Sequence, residues 1–268
     1  MSAPAGQAPR PRPHWLGTLL YPAGLLAIFL GSQVLLGVVG VPGDLRAALA
    51  AGPALAALLL SLPLRLRRVW GDPQPWRRLG VRQALARPLL RGTLKAVLLL
   101  LLLEAGLAWA GAVQWRPELI SPGLLLNGLA LGLGVGFAEE LLFRGWLLGE
   151  LDLLVGPQRG LWLQAALFSL VHTRFNLPPL QLAGLLGGLL LLGLALGLQR
   201  RADGGSLWGA VGLHGGLVGI WFVLNQGLLP VNADAPAWLA GPANPIGGVL
   251  GWLGLGLLLW ARRRWWTS

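Results

Sequence analysis

The chain has 268 residues, of which 55% are hydrophobic and only 12% charged. That charged share is about half of what a soluble globule carries, so a soluble enzyme is excluded, and the apolar excess excludes disorder. The formal net charge of +11 comes from 21 basic and 10 acidic residues. In a soluble protein it would suggest nucleic acid; in a chain this apolar it records arginines in cytoplasmic loops, and no nucleic-acid partner is expected. The absence of cysteine rules out disulfides, thiolate metal ligands and cysteine nucleophiles.

A membrane span needs about 20 mostly apolar residues. In chain order such stretches run over 15–40, 47–64, 93–113, 124–151, 160–173, 179–199, 207–229 and 245–261. The expected fold is therefore all-α, a polytopic transmembrane bundle of about eight spans, with 47–64 and 160–173 the shortest. A cytoplasmic arm (1–14) precedes the first span, which is too long for the apolar core of a signal peptide. Residues 15–113 form an N-terminal group of helices with a basic loop over 65–92. Residues 123–229 form a core, and 245–268 a last helix with a basic tail. In the basic loop Arg78 and Arg82 share a helical face, Arg87 falls opposite and Pro88 interrupts, so a plain loop is expected rather than an interfacial helix.

Charge orients the spans. With the N-terminus inside, 17 of the 21 basic residues fall in cytoplasmic segments, beginning with Arg10 and Arg12 and ending with Arg262, Arg263 and Arg264. Only Arg46, Arg116 and Arg174 fall outside, and Arg144 lies within a span. Both termini are therefore expected in the cytoplasm.

Ionisable groups inside spans are costly, and each marks a candidate site. They are Glu104, Glu139, Glu140, Arg144, His172 and His214. On a helix Glu140 and Arg144 are four apart and can pair, whereas Glu139 is rotated by about 100° and lacks that partner. A carboxylate left without a cation in low-dielectric surroundings is suited to take a proton from water. Gly132, Gly136 and Glu140 recur every four residues, a stripe that suits close helix packing. Ser206 is placed to cap the helix that carries His214. Measured from the cytoplasmic ends of their spans, Glu140 lies about 15 Å deep, His172 about 18 Å and His214 about 10 Å. Three helices thus place acid and imidazole groups in one layer. Such a set activates water directly or holds a metal that does so. Glu104 sits at comparable depth without a motif, and pairing with a neighbouring helix is expected for it. Asn127 and Asn225 stay ambiguous.

At these residues the sequence resembles the CAAX-protease and bacteriocin-processing (ABI-type) family of intramembrane endopeptidases. The family's Glu-Glu-x-x-x-Arg matches Glu139, Glu140 and Arg144. Its Phe-x-x-x-His matches Phe168 and His172. Its third motif, a His followed four residues later by Asn or Asp, matches at His214, with Val218 in the last position. The resemblance covers about 123–224. It implies that Glu139 activates water for attack on a peptide bond, that His172 assists, and that His214 stabilises the oxyanion, with Glu140, Arg144 and Phe168 in support. Val218 cannot donate from its side chain, and loss of one such donor typically costs on the order of 10² to 10³ in rate. The expected substrate is a membrane-anchored peptide or protein, prenylated at its C-terminus or not, met in the lipid bilayer, and the expected location a bacterial plasma membrane. No cofactor is expected. A metal-dependent version would use the same residues as ligands, but no His-Glu-x-x-His signature is present. Val218 also leaves room for a non-catalytic relative serving as scaffold or immunity factor. A proton-relaying transporter would be signalled by repeated halves and broken helices, and neither is found.

Overall fold

The computed structural model describes residues 13–241 and 244–267, all of the regular structure among them helical. Arg10 and Arg12, part of the charge argument, lie outside the described residues. In hydrocarbon every backbone N–H and C=O must bond within its own segment, so apolar runs of this length close into helices. In chain order they are α1 (Trp15–Val38), α2 (Gly43–Arg65), the short α3 (Pro75–Arg78), α4 (Ala86–Trp109), α5 (Pro122–Glu140), α6 (Leu148–Val155), α7 (Pro157–Val171), α8 (Pro179–Ala202), α9 (Trp208–Val223), α10 (Ala237–Ala240) and α11 (Val249–Ala261). π-helical turns extend α2 over Leu66–Trp70, join α5 to α6 over Leu141–Leu147, and extend α9 over Leu224–Leu228.

Local chemistry sets the starts. Proline at the first position opens α5, α7 and α8, where its missing N–H costs nothing. Ser121 caps α5 by accepting from Leu124 N at 3.2 Å, and His14 caps α1 through Nδ1, 3.1 Å from Gly17 N. The cap expected of Ser206 is displaced by one residue. Leu207 is the N-cap of α9; Ser206 Oγ accepts from Trp208 N at 3.4 Å and donates to Ala84 O at 2.9 Å, tying the helix start to the preceding loop.

Among the described residues six helices are long and apolar enough to cross a membrane, so the count of about eight is not confirmed: Trp15–Val38, Leu45–Trp70, Ala86–Trp109, Pro122–Val155, Pro179–Ala202 and Trp208–Leu228. The other two expected spans are shorter helices, α7 with 15 residues and α11 with 13. At 1.5 Å per residue these reach only about 20 Å. The second span gains length from the π turn, and the basic stretch over 65–92 shrinks at both ends. Pro88 does not interrupt: it sits in the first turn of α4, where an N–H has no intrahelical use.

Helix α9 is the hub, with α4 alongside it in parallel and α5 antiparallel. Its contacts are made through glycine. A Cβ on Gly132 would meet Gly215 O at 2.7 Å, and one on Gly136 would meet Gly215 Cα at the same distance. Gly128 likewise faces Gly219 O at 2.9 Å. With no side chains between them the two backbones touch, which is how helices gain packing energy where lipid removes the hydrophobic drive.

The two ends of the bundle differ. At the arginine-rich end, Gly80 O, Val81 O and Ala84 O accept from Leu207 N, Trp208 Nε1 and Ser206 Oγ, lacing the 79–85 turn to the start of α9. Arg200 adds donations to Arg78 O, Gly205 O and Arg144 O. At the other end Gln114 N donates to Pro230 O at 3.1 Å and Arg116 N to Leu228 O at 3.0 Å, pairing the connections that follow α4 and α9.

Candidate functional site

The rod from α5 to α6 carries Glu139 and Glu140 on its last α-helical turn, and Arg144 within the π-helical segment that follows. Glu140 and Arg144 pair as their spacing predicts, Nη1 to Oε1 at 2.7 Å, with both side chains fully buried. The Arg144 guanidinium also lies over the Phe168 ring, 4.1 Å from its centroid, a cation–π contact made where water is absent. His172 is the C-cap residue of α7, immediately past its last turn, and His214 lies within α9.

These elements bring together Glu139, Glu140, Arg144, Phe168, His172 and His214, but not Glu104. His172 Nε2 stands 3.5 Å from Glu139 Oε2, and His214 Nε2 stands 3.9 Å from the same oxygen. The far nitrogen of each ring is already committed. His172 Nδ1 is 2.7 Å from Phe168 O, and a carbonyl can only accept, so this nitrogen carries the hydrogen. His214 Nδ1 is 2.8 Å from Glu140 Oε1, a carboxylate oxygen already paired with Arg144, so it too donates. In their neutral forms both rings therefore aim a bare Nε2 at one carboxylate oxygen. Three acceptors converge, and the group is satisfied only by holding a proton among them. Phe168 fixes the spacing, its ring centroid 4.7 Å from that of His172 and 5.7 Å from that of His214.

Burial is graded. Glu140 and Arg144 are wholly enclosed, while the side chains of Glu139 and His172 are 29% and 32% exposed. They line a cavity of about 370 Å³ that also receives His214, Val218 and Arg174. Val218 therefore faces the same space as the acid and both imidazoles. Asn225, Gln226 and Asn244 line it too. The sequence left Asn225 ambiguous; its Oδ1 accepts from Val231 N at 3.2 Å, which turns its amide toward the chain beyond the hub helix.

Two intramembrane acids behave otherwise. Glu104 does not line the cavity, and the partner helix expected for it is missing: it is buried, and neither carboxyl oxygen has a hydrogen-bond partner. Leu103 beside it in sequence and Leu107 one turn on are buried in a cluster of apolar side chains. Glu150, which sequence reasoning passed over because it lies at a span's end, is fully enclosed and saturated. It accepts from Thr18 Oγ1 at 2.9 Å, Trp70 Nε1 at 2.6 Å and Trp146 Nε1 at 2.8 Å, and pairs with Arg65. The donors come from positions 18, 65, 70 and 146, a set with no local sequence signal. Glu150 knots α1, α2 and α6 together away from the cavity.

Among the described residues no group of three or more His, Asp or Glu side chains is arranged to hold a metal ion. The carboxylate and two imidazoles crowd one oxygen rather than surrounding a common point.

Residues 121–220 match the model of a family described as type II CAAX prenyl endopeptidase Rce1-like. This segment, 100 of the 268 residues, is similar to that family. The match runs from the cap of α5 into α9 and so contains Glu139, Glu140, Arg144, Phe168, His172, His214 and Val218. The family resemblance read from the motifs is the one the match names, and it indicates a CAAX-protease-type peptidase. Together with the six long apolar helices among the described residues it supports an integral membrane protein. The N-terminal helices lie outside the matched residues. No curated protein and no solved structure matches the chain.

Proposed function

We propose that this Rce1-like protein is an intramembrane endopeptidase that hydrolyses peptide bonds of membrane-associated substrates with glutamate-activated water. The observation that carries this is the convergence of His172 Nε2 and His214 Nε2 on Glu139 Oε2, at 3.5 and 3.9 Å, beside a cavity able to admit a peptide.

In this reading one proton is shared by the group and resides mainly on an imidazole, leaving Glu139 as the base. Glu139 takes a proton from water as the oxygen attacks the scissile carbonyl. His172, protonated at Nε2, delivers its proton to the leaving amine. His214 can donate from Nε2 only as imidazolium, because its Nδ1 hydrogen is held by Glu140. It reaches that state by accepting from Glu139 the proton just taken from water, and then stabilises the oxyanion, while the His172 proton goes to the leaving amine. Arg144 and Glu140 position His214 and do not touch substrate. Val218 stands where a second donor would serve, so the enzyme is expected to be slow rather than inert. The proposed chemistry uses no metal, and cleavage should survive chelators.

Val218 also supports a second reading, a non-catalytic relative acting as a membrane scaffold or immunity factor. The test is proteolysis by the purified, detergent-solubilised protein against a library of membrane peptides, prenylated and not, with Glu139→Ala alongside. Cleavage lost in Glu139→Ala supports the enzyme. A folded parent that cuts nothing in the library supports the scaffold.

The membrane is proposed to be a bacterial plasma membrane, with the arginine-rich end and both termini in the cytoplasm.

A further inference from the structure

We infer that a second cavity, at the arginine-rich end and walled by Trp70, Arg77, Arg78 and Arg200, binds the headgroup of an anionic phospholipid. Such a site owes nothing to the peptidase reading.

The cavity measures about 540 Å³, against about 370 Å³ for the one beside Glu139, and the two share no lining residue. Its level in the bundle is set by where three long apolar helices stop. Leu45–Trp70, Pro122–Val155 and Pro179–Ala202 each contribute to the wall from the last turn: Trp70 from the first, Asp152 and Leu153 from the second, Arg200 from the third. Where apolar spans end, hydrocarbon gives way to headgroups, and tryptophan favours that boundary. Leu153 is half exposed and gives acyl chains an apolar edge beside the polar space.

The charge of the wall is not neutralised from within the chain. Two acids face the cavity with the arginines, but both are occupied. Asp152 pairs with Arg201 at 3.1 Å, and Asp72 Oδ1 accepts from Gln74 N at 2.8 Å. Among the described residues no carboxylate lies within ion-pair distance of Arg77, Arg78 or Arg200. Packing nonetheless holds two of these cations together. Arg200 Nη2 donates to Arg78 O at 2.9 Å, and the Arg78 guanidinium lies over the Trp70 ring, 5.7 Å from its centroid. Arg200 donates to Gly205 O and Arg144 O as well, which fixes its plane and leaves two of its five N–H donors unused.

Fixed guanidiniums without an acid, at the level of the headgroups, match a phosphodiester. It carries one negative charge and two free oxygens able to accept from paired N–H groups. Basic pockets between spans take anionic headgroups in this way. A zwitterionic headgroup would bring its own cation in among the arginines and gain less.

The test uses the full-length protein in nanodiscs of phosphatidylcholine, with and without phosphatidylglycerol, and reads its melting temperature. Arg200 is left intact, because its bonds hold backbone from three segments. The parent should melt several degrees higher with phosphatidylglycerol. Arg77→Gln/Arg78→Gln should lose most of that gain. Arg82→Gln/Arg87→Gln removes the same charge from exposed positions outside the cavity and should keep it. Gln83→Glu, which adds an acid to the wall and removes no cation, should also lose it. A parent that melts alike in both lipids overturns the inference. So does an equal loss in the two arginine pairs, which would mean diffuse attraction to the whole basic end, or a full gain in Gln83→Glu. Glycerol phosphate added to phosphatidylcholine discs tests the soluble source: a gain as large as with the lipid would overturn the lipid as occupant. Melting is read without proteolysis, so none of these results bears on whether the chain cleaves peptides.

Discussion

His214 Nδ1 lies 2.8 Å from Glu140 Oε1, so an acid that does not face substrate decides which nitrogen of this imidazole does. Glu140 in turn is held by Arg144 at 2.7 Å, and neither has any exposure. The chain of dependence runs from guanidinium to carboxylate to ring.

Arg144→Ala breaks that chain at its base. It leaves a buried carboxylate without its cation and removes the contact over Phe168, a change that costs about 3–5 kcal/mol in comparable buried pairs. The variant should purify in lower yield and melt at a lower temperature in detergent, with Arg144→Lys recovering part of the loss. An Arg144→Ala protein as stable as the parent would show that the pair is not structural.

Glu139→Gln should behave in the opposite way. The residue is partly exposed to the cavity, and a glutamine amide can still donate toward the imidazole nitrogens that face Oε2, so melting should be little changed while peptide cleavage disappears. Retained cleavage would remove Glu139 from its proposed role.

Activity should depend on pH as a bell. In the proposed mechanism Glu139 acts as carboxylate and His172 as acid, so a further proton as pH falls neutralises the base, and loss of the His172 proton as pH rises removes the acid. Both limbs should be visible in kcat measured across the stability range. A profile flat on its alkaline side would mean that His172 is not the acid.

Val218→Asn is expected to raise cleavage several-fold. Position 218 faces the cavity one turn beyond His214, and an amide there adds a donor where negative charge develops. Glu139→Ala should abolish the gain. A fall in activity instead would make Val218 a residue that packs or touches substrate.

Glu104→Met should hold or raise the melting temperature. A buried carboxyl with no partner costs about 1–3 kcal/mol, and a thioether of similar length sheds that cost. A clear drop in stability would reveal a partner for Glu104 that the folded chain alone does not supply.

The site was legible because intramembrane charge is rare: few residues could be candidates, and all of Glu139, Glu140, Arg144, His172 and His214 meet at one place. The Glu140–Arg144 pair follows from spacing alone. What spacing could not give is the bond from Glu140 to His214, since it crosses 74 positions and depends on how two helices pack. The same limit hid Glu150, whose donors are scattered over four segments. The count of about eight spans is not confirmed at α7 and α11, which have 15 and 13 residues; before α11 apolar residues continue through the turn at Pro245–Gly247, so a composition window there sees length that the helix lacks. Glu104 misled in the other direction: depth suggested a partner, and packing put leucine there.

Between α5 and α9 the seam is bare glycine. Gly132 and Gly136 rest on the backbone of Gly215, one residue from His214, while Glu139 and Glu140 begin within a turn of Gly136 on the facing helix. The gap between acid and imidazole is therefore gauged by the thickness of bare peptide rather than by any side chain. A methyl group at Gly132 or Gly136 would act as a shim, lifting one helix off the other and spreading the proton-sharing atoms while leaving every one of them in the sequence. Such a chain would keep all its motifs and lose its chemistry.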